Sequence, residues 1–212
     1  MTNPIPDQTI PQARKSWKHA AAAYTDRRAI TLLLLGFSAG VPILLIFSSL
    51  SLWLREAGVD RSTVTMFSWA ALAYSFKFIW AHLIDSLPLP ILTKLLGKRR
   101  SWLLTAQIAI VAAICFMALV DPTTESALMY MAIAAVLLGF SSATQDVVID
   151  AYRIEAAQDD VAMQSVTAAT YNAGYRIGMI VAGAGALFLA AKLGSHENAY
   201  VYKAWQQTYF IM

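Results

Sequence analysis

The stretch ALMYMAIAAVLLGFSSATQDVVIDAYR, residues 127–153, is apolar as far as Phe140 and carries ionisable side chains after it. An apolar run of this length is typical of a helix that spans a membrane. At helical spacing, Asp146, Asp150 and Arg153 fall on one face of its polar end. Ionisable groups in such a segment are costly, so they usually line a pathway or make a specific contact. The stretch therefore predicts a membrane helix with functional groups at one end.

The composition of the whole chain indicates the same class. Of the 212 residues, 58% are hydrophobic and only 14% are charged, whereas a soluble domain has roughly 25% charged residues. The apolar residues occur in long blocks and not in the alternating pattern of barrel strands, so we predict an all-α membrane protein. The blocks predict five membrane helices and the beginning of a sixth, at residues 29–54, 64–84, 102–120, 127–149, 161–191 and 205–212.

The last of these segments is shorter than the approximately 20 residues that a membrane helix needs. We therefore expect residues 29–212 to form a helical membrane bundle whose sixth helix is truncated, and the natural protein to continue beyond this chain. Residues 1–28 are polar and lack the apolar core of a signal peptide. The first helix is therefore expected to direct insertion into the membrane.

Lysine and arginine are distributed unevenly between the connections, and this asymmetry predicts the orientation of the chain. Residues 1–28 carry five of these cations and residues 85–101 carry four, whereas residues 121–126 carry none. Because such cations accumulate on the cytoplasmic side, we expect a cytoplasmic N-terminal segment. The connection after the fourth helix, which contains Arg153, is then cytoplasmic as well.

Polar residues also lie inside the predicted helices. Lys77 is in the second helix, Arg176 is in the fifth, and Asn172 shares a helix face with Arg176. With Asp146 and Asp150, these groups are expected in the cytoplasmic half of the bundle. Two interpretations stay open: a polar cavity for an anionic substrate, or an ion-pair network that holds the helices in register. For Arg176 the functional interpretation is favoured, because charge near the middle of a membrane is costlier.

The connection between the second and third helices contains a candidate gate. Asp85 ends the second helix, and the segment Gly97–Arg100 precedes the third. A carboxylate at a helix C-terminus is unfavourable unless a cation meets it. We therefore predict that Asp85 pairs with Arg99 or Arg100, with Arg153 as a further gating candidate. The cations also anchor the chain on the cytoplasmic side.

Glycines recur at four-residue spacing in two of the predicted helices. Gly36 and Gly40 form one pair, and Gly174 and Gly178 form another. Small residues at this spacing let two membrane helices approach closely. We expect close helix packing at both pairs, with a hinge for alternating access as the alternative.

Other protein classes are disfavoured by motifs that the sequence lacks. It contains neither the phosphate-binding pattern GxxxxGK[ST] nor HExxH, and His19, His82 and His196 lie far apart. The single cysteine, Cys115, lies in an apolar run. We therefore expect no enzymatic activity, no metal or other cofactor, and no nucleic-acid partner.

A set of short segments carries a family resemblance. The segments are LLLGFSAGVP (33–42), WLREAGV (53–59), FKFIWA (76–81), RRSW (99–102), SATQDVVIDAYR (142–153) and GYRIGM (174–179). Together they resemble the AmpG-like muropeptide permeases of the major facilitator superfamily over about residues 31–191. Asp85 with Gly97–Arg100 is also similar to a stretched form of the superfamily loop G-x-x-x-D-R-x-G-R-R, with Ala81 and Ser86 at two of its positions.

The resemblance implies a proton-coupled symporter of the bacterial inner membrane. It also implies that residues 29–212 form the N-terminal six-helix bundle, with its sixth helix truncated, and that a C-terminal bundle is absent from this chain. The expected cargo is anhydro-muropeptides (GlcNAc-anhydroMurNAc-peptides), imported from periplasm to cytoplasm for peptidoglycan recycling. The expected partners are this glycopeptide, protons, the lipid bilayer and a C-terminal bundle of the same protein. Two alternatives stay open: a transporter of acetyl-coenzyme A or another anionic solute, and a membrane scaffold that transports nothing.

Roles for individual residues follow from this expectation. Lys77 and Arg176 are candidates for binding the carboxylates of the peptide. Asp146 or Asp150 is a candidate for carrying the coupled proton. The remaining candidates for substrate contact are Asn172, Tyr175 and Gln145.

Overall fold

The computed structural model describes residues 21–67, 69, 75–157, 160–197 and 199–212. In chain order its helices are α1 (Arg27–Glu56), α2 (Arg61–Phe67), α3 (Lys77–Ser86), α4 (Leu92–Leu96), α5 (Lys98–Ala118), α6 (Glu125–Ala156), α7 (Val161–Lys192) and α8 (Tyr202–Ile211). Helices α1, α5, α6 and α7 are long and apolar enough to cross a membrane. The chain is therefore an all-helical, multi-pass membrane protein in its described parts.

The four long helices coincide with four of the predicted segments. Helix α6 continues to Ala156, beyond the expected end at Ile149, because the intervening residues include neither glycine nor proline. Arg153, which was expected in a connection, therefore lies within α6, and so does Glu155. The second predicted segment, 64–84, corresponds to α2 and α3, and its middle lies outside the described residues.

Helices α1 and α7 are packed with their backbones in direct contact. Ideal Cβ atoms built on four glycines would lie 2.0–2.3 Å from carbonyl oxygens of the opposite helix, far closer than real Cβ atoms approach. The glycines are Gly36, Gly40, Gly174 and Gly178. The facing carbonyls belong to Tyr171, Tyr175, Leu33 and Phe37. The predicted close packing at both glycine pairs is thus confirmed.

Both of these helices contain a π-turn, at Leu45–Ser49 in α1 and at Val181–Gly185 in α7. In α1 the turn follows Pro42, whose nitrogen cannot donate the hydrogen bond of a regular helix. The Ser49 hydroxyl donates to the Ala182 carbonyl oxygen at 2.8 Å, so the two turns are joined directly. Helix α5 packs on α6, and α6 packs on α1, to complete the bundle.

An aromatic cluster closes the end of the bundle where α1 and α7 terminate. Trp53 is fully buried, and its ring stacks on Trp205 with 5.8 Å between centroids. The Tyr209 ring lies 4.9 Å from the Trp53 ring. Beside the cluster, the Glu56 carboxylate accepts hydrogen bonds from the Trp205 indole at 2.7 Å and from the Ser195 hydroxyl at 2.6 Å. These contacts tie α1 to α8 and to the connection that precedes it.

Tyr200 extends this network to the connection after α5. Its hydroxyl donates to Asp121 Oδ1 at 3.0 Å and accepts from the Trp53 indole at 3.2 Å. Burial raises the pKa of the Tyr200 phenol above its ordinary value, and the Asp121 carboxylate raises that pKa further. The phenol therefore stays protonated and continues to donate at physiological pH.

We predict that Glu56→Ala lowers the free energy of unfolding by about 1–3 kcal/mol, because it leaves two buried donors without an acceptor. Thermal unfolding of the purified full-length protein in detergent measures this loss. The matched control is Glu197→Ala, which removes an exposed carboxylate 3.4 Å from Arg55. An exposed pair of this kind contributes little, so the control should unfold like the wild type. Equal losses in both variants would contradict the assigned role of Glu56.

Candidate functional site

A group of charged and phenolic side chains lies where α3, α6 and α7 meet. We call it the polar cluster, and it consists of Lys77, Asp146, Asp150, Arg153 and Tyr171. Lys77 begins α3, and Tyr171 lies within α7. The other three follow one face of α6 because they are four and three residues apart. The cluster therefore joins α3 to α6 through side chains of opposite charge, and α6 to α7 through Tyr171.

Asp150 is the shared anion of the cluster. Its Oδ2 atom lies 4.0 Å from Lys77 Nζ, and its Oδ1 atom lies 3.4 Å from Arg153 Nη2. The side chains of Lys77 and Asp150 are 37% and 44% exposed, so both remain accessible at the surface of this bundle. The Arg153 guanidinium also lies over the Tyr171 ring, 5.8 Å from its centroid.

Asp146 is the buried carboxylate of the cluster, only 8% exposed. It interacts with the Tyr171 hydroxyl and with the charges of Lys77 and Asp150. Its Oδ1 atom has no hydrogen-bond donor among the described residues. A buried carboxylate oxygen without a donor is costly, and either a proton or a donor from a ligand would satisfy it.

Arg176 and Asn172 lie outside the polar cluster, exposed on α7. Within the part of the chain that the structure describes, Arg176 forms no ion pair. Tyr175 interacts with Arg176, and its ring lies 6.0 Å from that of Tyr171. A cation exposed part-way along a membrane helix must meet water, an anion or another protein surface. Arg176 is thus available to a ligand that approaches this face of α7.

Gln145 points to a different side of α6 from Asp146, since successive helical residues are about 100° apart. Its Nε2 atom donates to Ser38 Oγ at 3.3 Å, and Gln107 Nε2 donates to the same oxygen at 3.5 Å. These three residues border a cavity of about 320 Å³ whose other walls are mostly apolar. The structure therefore separates Gln145 from the other candidates for substrate contact.

The candidate gate forms a second charged network. Asp85 makes an ion pair with Arg99, whose Nε atom also lies 2.9 Å from Glu155 Oε1. Of the two arginines considered as partners for Asp85, Arg99 forms the contact. Arg100 is exposed and, together with Arg99, lines a cavity beside this network, whereas Arg153 lies in the polar cluster. The network links the end of α3, the beginning of α5 and the end of α6.

A family model described as "Acetyl-coenzyme A transporter 1" matches residues 29–211. The chain belongs to this family. It is 37% identical over 189 residues to the "Putative transporter AmpG 4" of Rickettsia felis, covering 89% of this chain and 42% of that protein. It is also 37% identical over 189 residues to the "Anhydromuropeptide permease" of Escherichia coli K12, covering 89% of this chain and 35% of that protein. The resemblance to AmpG-like permeases is therefore confirmed.

The chain spans less than half the length of these two relatives. The names of these two relatives describe a transporter and a permease, and not enzymes. Segments 142–153 and 174–179, which carry the resemblance, also supply most of the polar cluster and the exposed Arg176.

Several residues of the polar cluster, the gate network and the Gln145 site were not predicted from the sequence. The burial of Tyr171 could have been predicted from local spacing. It lies three residues before Gly174 and thus on the face of α7 that packs against α1. The position of Glu155 on α6 could have been predicted, because no residue between Asp150 and Ala156 is a glycine or proline that would end the helix. Ser38 and Gln107 could not have been found this way, because the hydrogen bonds from Gln107 and Gln145 to Ser38 join three separate helices.

Proposed function

We propose that this chain forms the N-terminal bundle of a proton-coupled secondary transporter with the major facilitator fold, in which α8 begins the sixth helix. The cargo that we propose is anhydro-muropeptides, imported across the bacterial inner membrane with the N-terminus in the cytoplasm. Similarity to the Escherichia coli permease supports this substrate class. The observation that carries the mechanism is buried Asp146, which lacks a donor at Oδ1 beside the Lys77–Asp150 pair.

Lys77 and Arg176 provide binding sites for the anionic cargo. Peptide carboxylates form charge-assisted hydrogen bonds with lysine and arginine. Arg176 is exposed and free of ion pairs among the described residues, so it can receive a carboxylate without losing a partner. Its exposure away from the core of this bundle supports a binding site between two bundles, as in other transporters built from repeats.

Exchange of ion-pair partners couples the proton to the cargo in this proposal. When a cargo carboxylate binds Lys77, Asp150 loses that cation, and the negative charge near Asp146 increases. A proton on one of these carboxylates restores neutrality. Protonation stabilises Asp146 most, because a buried carboxylate is the costliest to leave charged. One proton thus accompanies the carboxylate that displaces Asp150 from Lys77. Release of the cargo allows Lys77 to pair with Asp150 again and the proton to leave to cytoplasmic water.

Acetyl-coenzyme A is the second candidate cargo, favoured by the description of the matching family model. Its phosphate groups would bind the same two cations. The proton step would be unchanged, because it depends on the carboxylates and not on the identity of the anion.

We predict that vesicles containing the full-length protein accumulate radiolabelled anhydro-muropeptide only when a pH gradient is applied. Arg176→Gln should reduce accumulation at least tenfold by removing a cargo contact, and Asp146→Asn should abolish the response to the gradient. Lys192→Gln is the matched control, since it removes an exposed cation at the end of the same helix and should leave uptake unchanged.

Three outcomes distinguish the alternatives. Uptake and pH response that survive both Arg176→Gln and Asp146→Asn would contradict the assigned residues. Uptake of acetyl-coenzyme A in place of muropeptide would establish the second cargo. Uptake of neither, with the protein correctly inserted, would support a scaffold that transports nothing.

A further inference from the structure

A basic cavity of about 540 Å³ lies at the end of the bundle where α1 and α5 begin. Its charged lining consists of Arg27, Arg28, Arg99, Arg100 and Asp26. Helix α6 contributes its face opposite to the polar cluster, so the residues of that cluster do not line this cavity. The cavity is therefore distinct from the polar cluster, although Arg99 of the gate network forms part of its wall.

The positive charge of this cavity is largely uncompensated. Arg99 is neutralised by its pairs outside the cavity, but Arg27, Arg28 and Arg100 are exposed and form no ion pair among the described residues. The carboxylate of Asp26 caps α1 by accepting a hydrogen bond from the Arg28 amide at 2.8 Å. Like charges gathered around one cavity repel each other, and an anion between them removes that repulsion.

An apolar wall leads from the arginines into the bundle. Leu35, Leu103 and Val148 line the basic cavity, and the smaller cavity of about 320 Å³ follows one turn further along the same three helices. We call the two cavities together the groove; from Arg100 to Ile114 on α5 they span ~21 Å at ~1.5 Å per residue. One half of a bilayer core is ~15 Å thick, so the groove matches the depth of a lipid leaflet.

We propose that this groove binds an acidic phospholipid. The phosphate group lies among Arg27, Arg28 and Arg100, and an acyl chain follows Leu35 and Leu103 into the bundle. Guanidinium groups bind phosphate oxygens through paired, charge-assisted hydrogen bonds. Basic pockets between membrane helices recognise acidic headgroups in this way. The combination of a charged end with an apolar wall favours a lipid over a soluble phosphate.

The test uses the full-length protein in nanodiscs of phosphatidylcholine, with and without phosphatidylglycerol. We expect phosphatidylglycerol to raise the unfolding temperature, and photoactivatable phosphatidylglycerol to label peptides that contain residues 27–35 and 99–103. Arg28→Gln combined with Arg100→Gln should reduce that labelling at least threefold. Arg61→Gln is the matched control, because it removes an exposed arginine of α2 that does not line the groove. Glycerol phosphate in solution should not compete, because it lacks an acyl chain.

Three outcomes would overturn the proposal. Equal labelling by photoactivatable phosphatidylcholine would show that the headgroup charge is not recognised. Binding of glycerol phosphate without lipid labelling would assign the site to a soluble anion. Cross-links from the groove to another segment of the protein would show that polypeptide fills it. If the double variant does not fold, comparison of the two lipids on the wild-type protein decides the question alone.

Discussion

Gly174→Ala is expected to lower the free energy of unfolding by about 3 kcal/mol, the upper end of the usual effect of overpacking. The added Cβ atom would lie 2.0 Å from the Leu33 carbonyl oxygen and 2.9 Å from the Phe37 nitrogen. Both are backbone atoms, so neither can rotate away, and α1 and α7 must separate. Thermal unfolding of the full-length protein in detergent measures the effect, and the fraction that elutes as a single species gives a second readout.

Gly185→Ala is the matched control for this substitution. It lies in the same helix, but its Cβ atom would meet only side chains, at 3.7 Å and beyond. Alanine favours a helix over glycine by about 1 kcal/mol, so this variant should be as stable as the wild type or slightly more stable. If Gly174→Ala were to unfold at the same temperature as Gly185→Ala, the backbone contact between α1 and α7 would be refuted.

Asp150→Asn is expected to reduce uptake at least tenfold and to lower the amount of folded protein in the membrane. The substitution leaves Lys77 and Arg153 with Asp146 as the remaining carboxylate of the polar cluster. An unpaired charge inside a membrane costs ~2.5–3.5 kcal/mol at the centre, and less here because Lys77 is partly exposed. Vesicle uptake and the yield of folded protein measure the two effects separately.

The double variant Lys77→Met with Asp150→Asn separates a structural role from a transport role. Removing both charges leaves no unpaired lysine on α3, so the yield of folded protein should return toward that of the wild type. Uptake should stay low, because the partner exchange that we propose needs both groups. Recovery of uptake together with folding would show that the pair only holds α3 and α6 in register, which is the structural interpretation of the cluster.

Local sequence patterns predicted the features that depend on composition and spacing. The apolar blocks placed the four long helices, because length and hydropathy alone decide which segments cross a membrane. The spacing of Gly36 and Gly40, and of Gly174 and Gly178, predicted close packing because only glycine permits such backbone contact. The sequence limited the partner of Asp85 to two neighbouring arginines, Arg99 and Arg100, and in the structure Arg99 forms the ion pair.

The features that sequence could not provide depend on contacts between distant segments. Arg153 was a gating candidate, but its place on α6 beside Asp150 puts it in the polar cluster. Glu155 takes a place in the gate because α6 continues past Ile149. The pairing of Gln145 with Ser38 joins residues far apart in the chain, and no local spacing encodes it.

The paired π-turns restrict how the lengths of α1 and α7 can change in evolution. A π-turn holds one residue more than a turn of α-helix, and each extra residue rotates all later side chains by about 100°. The turn at Leu45–Ser49 lies between the glycine contact and the Trp53 cluster, so it sets the angle between these two surfaces of α1. Loss of one residue there would turn Trp53 away from Trp205 while the glycines stayed in place. Single-residue insertions and deletions should therefore be rare in this segment, or be matched by a second change at Val181–Gly185 in α7.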